Sequence, residues 1–166
     1  CRDWFQLCLK EGLTVFRDSQ FTADMRSAPV KRIGDAFLMR SRQFREDAGP
    51  LAHPVRPESF VEINNFYTLT VYEKGAELIR MLKTLVGDAA YYKSVERYFD
   101  QHDGQAATIE DWLAAFEDTT GRDLSQFKLW YQQAGTPQVK VSETFENGCF
   151  ELTFEQSVNQ ALTPFF

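Results

Sequence analysis

The chain has 166 residues and a formal net charge of −6; that balance excludes a nucleic-acid partner, because gripping phosphates needs a cationic surface. Apolar residues make up 43% and aromatic residues 14%, enough for a real core and against disorder, in one domain or one domain plus the start of another. No apolar run approaches the roughly 18–20 residues that span a bilayer, and the chain does not open with a basic-then-apolar leader, so no membrane partner is expected. Cys1, Cys8 and Cys149, odd in number and without paired spacing, are expected to be free thiols in a reducing, cytoplasmic compartment.

From Asp3 to about Asp18, the apolar residues Trp4, Leu7, Cys8, Leu13, Val15 and Phe16 form roughly a helical stripe. Gly12 interrupts it, which predicts a break or close packing there. A second helix is predicted from about Pro29, acceptable in a first turn, to Arg45. Ile33, Phe37, Leu38 and Phe44 give it an inner face; Lys31, Arg32, Arg40, Arg42 and Arg45 give it a solvated basic one. Pro50, Pro54 and Pro57 forbid a regular helix between Ala48 and Ser59. A stretch of that kind is functional or is held against something.

Asn64 to Val86 reads as a turn entering a long helix, buried along Leu78, Ile79, Leu82, Leu85 and Val86 and ended by Gly87. Asp88 begins the next helix, which runs to about Gln101 with Tyr91, Tyr92, Val95, Tyr98 and Phe99 on its apolar side. Thr108 and Asp111 resemble a capping box, with Asp in place of the usual Glu. The helix behind them holds Trp112, Leu113 and Phe116 and stops at Gly121. Another, from about Ser125 to Gln133, uses Phe127, Leu129 and Trp130 and stops at Gly135. After Pro137 the pattern alternates, and Glu146-Asn147-Gly148 predicts a β-hairpin. Helices followed by strands suggest two domains, residues 1–135 and 136–166. The second is expected to be the start of a β-domain, because a lone hairpin is marginal in water and Leu162–Phe166 leaves it without a further partner.

The two histidines, His53 and His102, lie in different elements without convincing partners at metal-ligand spacing, so ordinary roles are expected for both. No G-x-S-x-G, Walker loop, G-x-G-x-x-G or C-x-x-C occurs. Composition and periodicity alone stop at a soluble, mostly helical domain.

Two segments go further. Lys10-Glu11-Gly12-Leu13-Thr14, preceded by Trp4-Phe5, and Asn64-Asn65-Phe66-Tyr67-Thr68-Leu69-Thr70-Val71-Tyr72-Glu73-Lys74-Gly75 together resemble the catalytic domain of the aminopeptidase N family. These are gluzincins, zinc peptidases whose third metal ligand is a glutamate. The likeness continues through Asp100–Gly104 and from Trp130-Tyr131 to Gly135-Thr136-Pro137. It implies a mainly α fold class: the helical half of a thermolysin-like catalytic domain, followed by the first hairpin of a β-sandwich. It also implies hydrolysis of N-terminal residues from peptides with a free N-terminus, with one Zn²⁺ as cofactor.

In that family an H-E-x-x-H helix supplies two histidine ligands and a general-base glutamate. By resemblance Glu11 is the third, carboxylate ligand; two imidazoles and one carboxylate leave the ion a position for the water that it acidifies. Tyr72 is implied to be the catalytic tyrosine that hydrogen-bonds the tetrahedral oxyanion, a role that suits a phenol still protonated at neutral pH. Tyr67 and Asn64 are implied to help hold the substrate's first side chain. Asp18, two turns beyond Glu11 if the helix continues, is either a partner for a ligating imidazole or a surface residue. Glu73 and Lys74 read as orienting groups.

The H-E-x-x-H segment is absent from the chain, and so is the family's G-x-M-E-N segment, which grips the substrate's amino group. This polypeptide alone is therefore expected neither to hold zinc tightly nor to hydrolyse peptides, its partner being the remainder of the enzyme. The alternative reading is a non-catalytic helical interaction domain. A metal-free scaffold homologue is a third, which the presence of both Glu11 and Tyr72 weakens.

Overall fold

The computed structural model describes residues 1–157; the expectation for Leu162–Phe166 lies outside the described residues. A 3₁₀ turn, Trp4–Gln6, opens into α1 (Leu7–Met25), which runs a full two turns beyond Asp18. Gly12 does not break this helix. It instead sets the backbone of α1 against Gly75, the first residue of α4 (Gly75–Val86). A Cβ at Gly12 would lie 2.9 Å from the Gly75 carbonyl carbon, so close packing, not a helix break, explains this glycine.

Around that crossing, Leu7 and Phe16 of α1 join Leu78, Ile79 and Leu82 of α4 in the core. The core continues into α5 (Asp88–His102) and α6 (Ile109–Thr120). There Tyr98 meets Trp112 edge-on with centroids 5.1 Å apart, and Trp112 meets Phe116 at 4.8 Å. Such pairs add directional preference to plain burial. The Thr108–Asp111 capping box forms, Thr108 N–H donating to Asp111 at 2.8 Å, and α6 ends with Gly121 at φ 67°. In α7 (Ser125–Gln132), Phe127 and Tyr131 are buried. Leu85, expected inside, is instead 44% exposed at the end of α4.

The second predicted helix is turned over. It forms as α2 (Ala28–Leu38), a π-helical turn Met39–Gln43, and α3 (Phe44–Asp47). Its expected inner residues Ile33 and Phe37 are 70% and 71% exposed, and Phe44 is 40% exposed. The polar side faces inward instead: Asp35 accepts from Ser19 at 2.7 Å and pairs with Lys31, while Arg32 reaches Glu77 at 2.6 Å. Arg80 of α4 donates to the same Ser19 hydroxyl at 3.0 Å. The reason is that α1 and α4 offer Ser19, Glu77 and Arg80 along this seam, and half-buried polar groups need partners of their own kind. Apolar periodicity alone does not see those partners.

The proline-rich stretch is held down, as its composition requires. Val55 is fully buried, and the Arg56 N–H donates to the Tyr131 carbonyl at 2.8 Å. The Arg56 guanidinium pairs with Glu110, which Lys128 also reaches at 2.9 Å. Further along, Phe60 and Phe66 pack on Phe5, with Phe60 and Phe66 centroids 4.9 Å apart. The turn and long helix expected over Asn64–Val86 form as a 3₁₀ turn (Ile63–Phe66), a π-turn (Thr70–Lys74) and α4.

The described residues end in the predicted hairpin, β1 (Gln138–Glu146) and β2 (Cys149–Ser157). Asn147 and Gly148 both have positive φ, 53° and 76°, as a two-residue turn that follows strand twist demands. The register pairs Val141 with Phe154 and Phe145 with Phe150. Val139, Val141, Phe145, Phe150, Leu152 and Phe154 therefore share one face, and all are exposed among the described residues.

Two tests follow from this packing. Gly12→Ala should cost about 1–3 kcal/mol by overpacking, whereas Gly34→Ala, whose added methyl meets nothing within 4 Å, should gain up to about 1 kcal/mol; urea midpoints read both, and equal midpoints would remove the crossing from the account. For Glu110, burial opposes ionisation, but hydrogen bonds from Lys128 and Arg56 outweigh it and lower the carboxyl from 4.5 to about 2. A depressed carboxylate contributes stability that is present above its unfolded pKa and lost as pH falls through the folded one. Stability curves of wild type and Glu110→Gln should therefore differ above pH 4.5 and converge towards pH 2; parallel curves across that window would refute the tether.

Candidate active site

Glu11 immediately precedes Gly12 on α1, and Tyr72 stands in the middle of the π-turn that leads to Gly75. The Gly12–Gly75 crossing thus brings together two residues far apart in sequence. The Tyr72 phenol lies near the Glu11 carboxylate, close enough for that charge to act on it. Burial, followed by the charge of Glu11, pushes the phenol above its ordinary value of 10. At neutral pH it is a proton-bearing donor. Lys10 forms an ion pair with the same carboxylate, whose side chain is 16% exposed.

Tyr67 borders this pair. Its ring centroid lies 6.4 Å from that of Tyr72, tilted 36°, and the residue is half exposed. Asn64, also exposed, sits on the 3₁₀ turn just before Tyr67, its carbonyl accepting the Tyr67 N–H at 3.2 Å. Asp18 lies at the surface of α1. Glu73 is half-buried, and burial, then the charge of Asp35, pushes its carboxyl above the usual range.

Neither histidine joins the pair. The His53 ring nitrogen Nδ1 lies 2.7 Å from the Pro54 carbonyl, and His102 packs on Tyr98 with centroids 5.5 Å apart. Cys8 is buried, and burial pushes its thiol up to about 12, which makes it an inert packing residue. Among the described residues no three His, Cys, Asp or Glu side chains gather into a group that could hold a metal. Glu11 is the hard, anionic oxygen donor that zinc accepts, so it fits a zinc site as one ligand, not as a whole site.

The turn that carries Tyr72 is anchored at both ends by α3. The Glu46 carboxylate accepts the N–H of Thr70 at 2.8 Å and of Leu69 at 3.3 Å, and it also takes the Thr70 hydroxyl. Lys74 donates to Asp47 at 2.7 Å and to the Gly135 carbonyl at 2.7 Å, while the Thr136 hydroxyl donates to the same Asp47 oxygen at 2.8 Å. The Lys74 and Asp47 side chains are 7% and 1% exposed. Glu46 and Asp47 carry no local signature. They sit at the end of a basic stretch, and their partners lie 23 to 89 residues away, so no motif could have announced them.

Residues 1–131 match the Peptidase family M1 domain. The chain is 58% identical to aminopeptidase N of Caulobacter vibrioides over 92% of its length and 52% identical to aminopeptidase N of Escherichia coli over 99%. It spans 18% and 19%, respectively, of those relatives. Among solved structures it superposes on Legionella pneumophila aminopeptidase A in complex with aspartic acid with a TM-score of 0.80 at 28% identity, covering 94% of this chain and 17% of that one.

The buried Lys74–Asp47 pair makes a further claim about stability. Removing one partner strands a buried charge, so Lys74→Met should cost roughly 3–5 kcal/mol. A denaturation midpoint close to wild type would mean that the pair is solvated.

Proposed function

The chain belongs to peptidase family M1, and on that premise we propose that it carries part of the active site of a zinc aminopeptidase, which removes N-terminal residues from peptides with a free N-terminus. The observation that carries the reading is the placement of Tyr72 beside Glu11 where α1 crosses the start of α4, close enough for the carboxylate's charge to act on the phenol. A phenol held next to a prospective metal ligand stands where a scissile carbonyl oxygen would gain negative charge. Tyr72 donates to that oxygen, and because the turn that carries it is anchored at both ends, it needs little reorganisation in the transition state.

Glu11 would supply the carboxylate ligand, and the two imidazoles and the general base would come from an H-E-x-x-H segment outside this chain. When bound, zinc acidifies a water and polarises the carbonyl. Tyr67 and Asn64 border the pocket for the substrate's first side chain. Residues 1–135 then form the C-terminal helical part of the catalytic domain, and 136–166 begin a β-sandwich domain. Three free cysteines, two of them exposed, support a reducing, cytoplasmic setting.

The test needs the complete polypeptide. Tyr72→Phe should lower kcat by about 10²–10³-fold with little change in KM, and Glu11→Gln should lower the zinc content of the purified enzyme. The present chain alone should release no N-terminal residues from aminoacyl anilides. Full turnover in Tyr72→Phe sinks the donor role; a complete polypeptide that holds no zinc and cleaves nothing leaves the non-catalytic interaction domain in its place.

A further inference from the structure

We propose that Glu46 and Asp47 are positioning residues for Tyr72, gripping the two ends of the π-turn on which it stands. The proposal rests on the donor role given to Tyr72 above. The turn is five residues long, from Thr70 to Lys74, with Tyr72 at its centre. Its first residues present backbone N–H groups that the turn itself does not satisfy. Glu46 takes that of Thr70 at 2.8 Å, that of the preceding Leu69 at 3.3 Å, and the Thr70 hydroxyl. The buried Gln43 amide donates to the same hydroxyl oxygen at 3.3 Å. A carboxylate at this end also faces the positive pole of the helix that follows.

The other end is held by charge. The Lys74 ammonium lies between Asp47 and the Gly135 carbonyl, each at 2.7 Å, and Thr136 closes on Asp47 at 2.8 Å. Consecutive residues on a helix project about 100° apart, which lets neighbours on α3 reach opposite ends of one short turn. Val71, next to Tyr72, is fully buried, so the turn has little room to rotate once its ends are fixed. A donor must stand within about 2.7–3.1 Å of the developing oxyanion, and a misplacement of about 1 Å can cost about 10²-fold in rate. Holding both ends of the turn is what keeps the phenol inside that tolerance.

The experiment is a mutant cycle in the complete polypeptide, combining Glu46→Ala with Tyr72→Phe, and with thermal melts to confirm folding. Glu46→Ala should lower kcat by about 10–10²-fold with KM little changed. Glu46→Gln, which keeps an acceptor oxygen, should fall between it and wild type. In the Tyr72→Phe background, Glu46→Ala should cost almost nothing more, because residues that act as one unit are not additive. Should Glu46→Ala fail to fold, Thr70→Val removes one bond of the same clamp and is carried through the same cycle. A full loss persisting in the Tyr72→Phe background, or an unimpaired Glu46→Ala beside a crippled Tyr72→Phe, overturns the clamp alone. An undiminished Tyr72→Phe overturns the donor role and the clamp with it.

Discussion

The contact on which the rest depends is the one between two glycines. Helices packed through ordinary side chains keep their axes about 8–10 Å apart. At Gly12 and Gly75 no side chain intervenes, and a Cβ added at Gly12 would press on the Gly75 carbonyl group. Glu11 is one residue from this contact and Tyr72 is within about one helical turn of it. A side chain at Gly12 would push the two helices apart and carry Glu11 away from Tyr72. The glycines form no part of the chemistry, yet they set the distance on which it would rely.

The same crossing dictates what α2 must do. With α1 and α4 in backbone contact, Ser19, Glu77 and Arg80 line one seam, and a helix laid along it has to answer them with polar groups. Asp35, Lys31 and Arg32 do so. The consequence is that Val30, Ile33 and Phe37, about 70% exposed, point away from this seam. Burying a charge without a partner costs more than leaving a few aliphatic side chains exposed. That ordering of costs, not helix amphipathicity, decides which side of α2 faces in. The hairpin shows the complementary situation. Its strands alternate cleanly, and its apolar face is exposed among the described residues in a chain that spans about a fifth of the relatives it matches.

What could be read from the residues divides along the same line. Short-range rules worked where the determinants are neighbours: the Thr108–Asp111 box, the stop at Gly121, and the Asn147–Gly148 turn. Each is a contact between residues a few positions apart. Glu11 and Tyr72 were singled out through the resemblance; the local pattern of either is that of an ordinary helix residue. The inverted face of α2, the exposed Leu85 and the anchors Glu46 and Asp47 were not legible, because each depends on which distant side chain happens to lie opposite. Gly12 falls between the two. Its presence in an apolar stripe announced something unusual, but only the fold could supply Gly75 as the reason.

The π-turn completes the argument from cost. A π-turn is rare in proteins, and a buried ion pair such as Lys74–Asp47 is often no more stabilising than a well-packed apolar pair. Stability alone therefore gives little reason to place both in the five residues around Tyr72. In a continuous α-helix the residues of this segment would follow at about 100° each, and nothing external would need to hold them. With the turn widened and pinned by α3, Val71 and Lys74 point into the protein while Tyr72 stays half-exposed and aimed at Glu11. An irregular backbone held from outside is what fixing one side chain in a direction that a regular helix does not offer requires. Here that side chain is the one proposed to meet the reacting carbonyl.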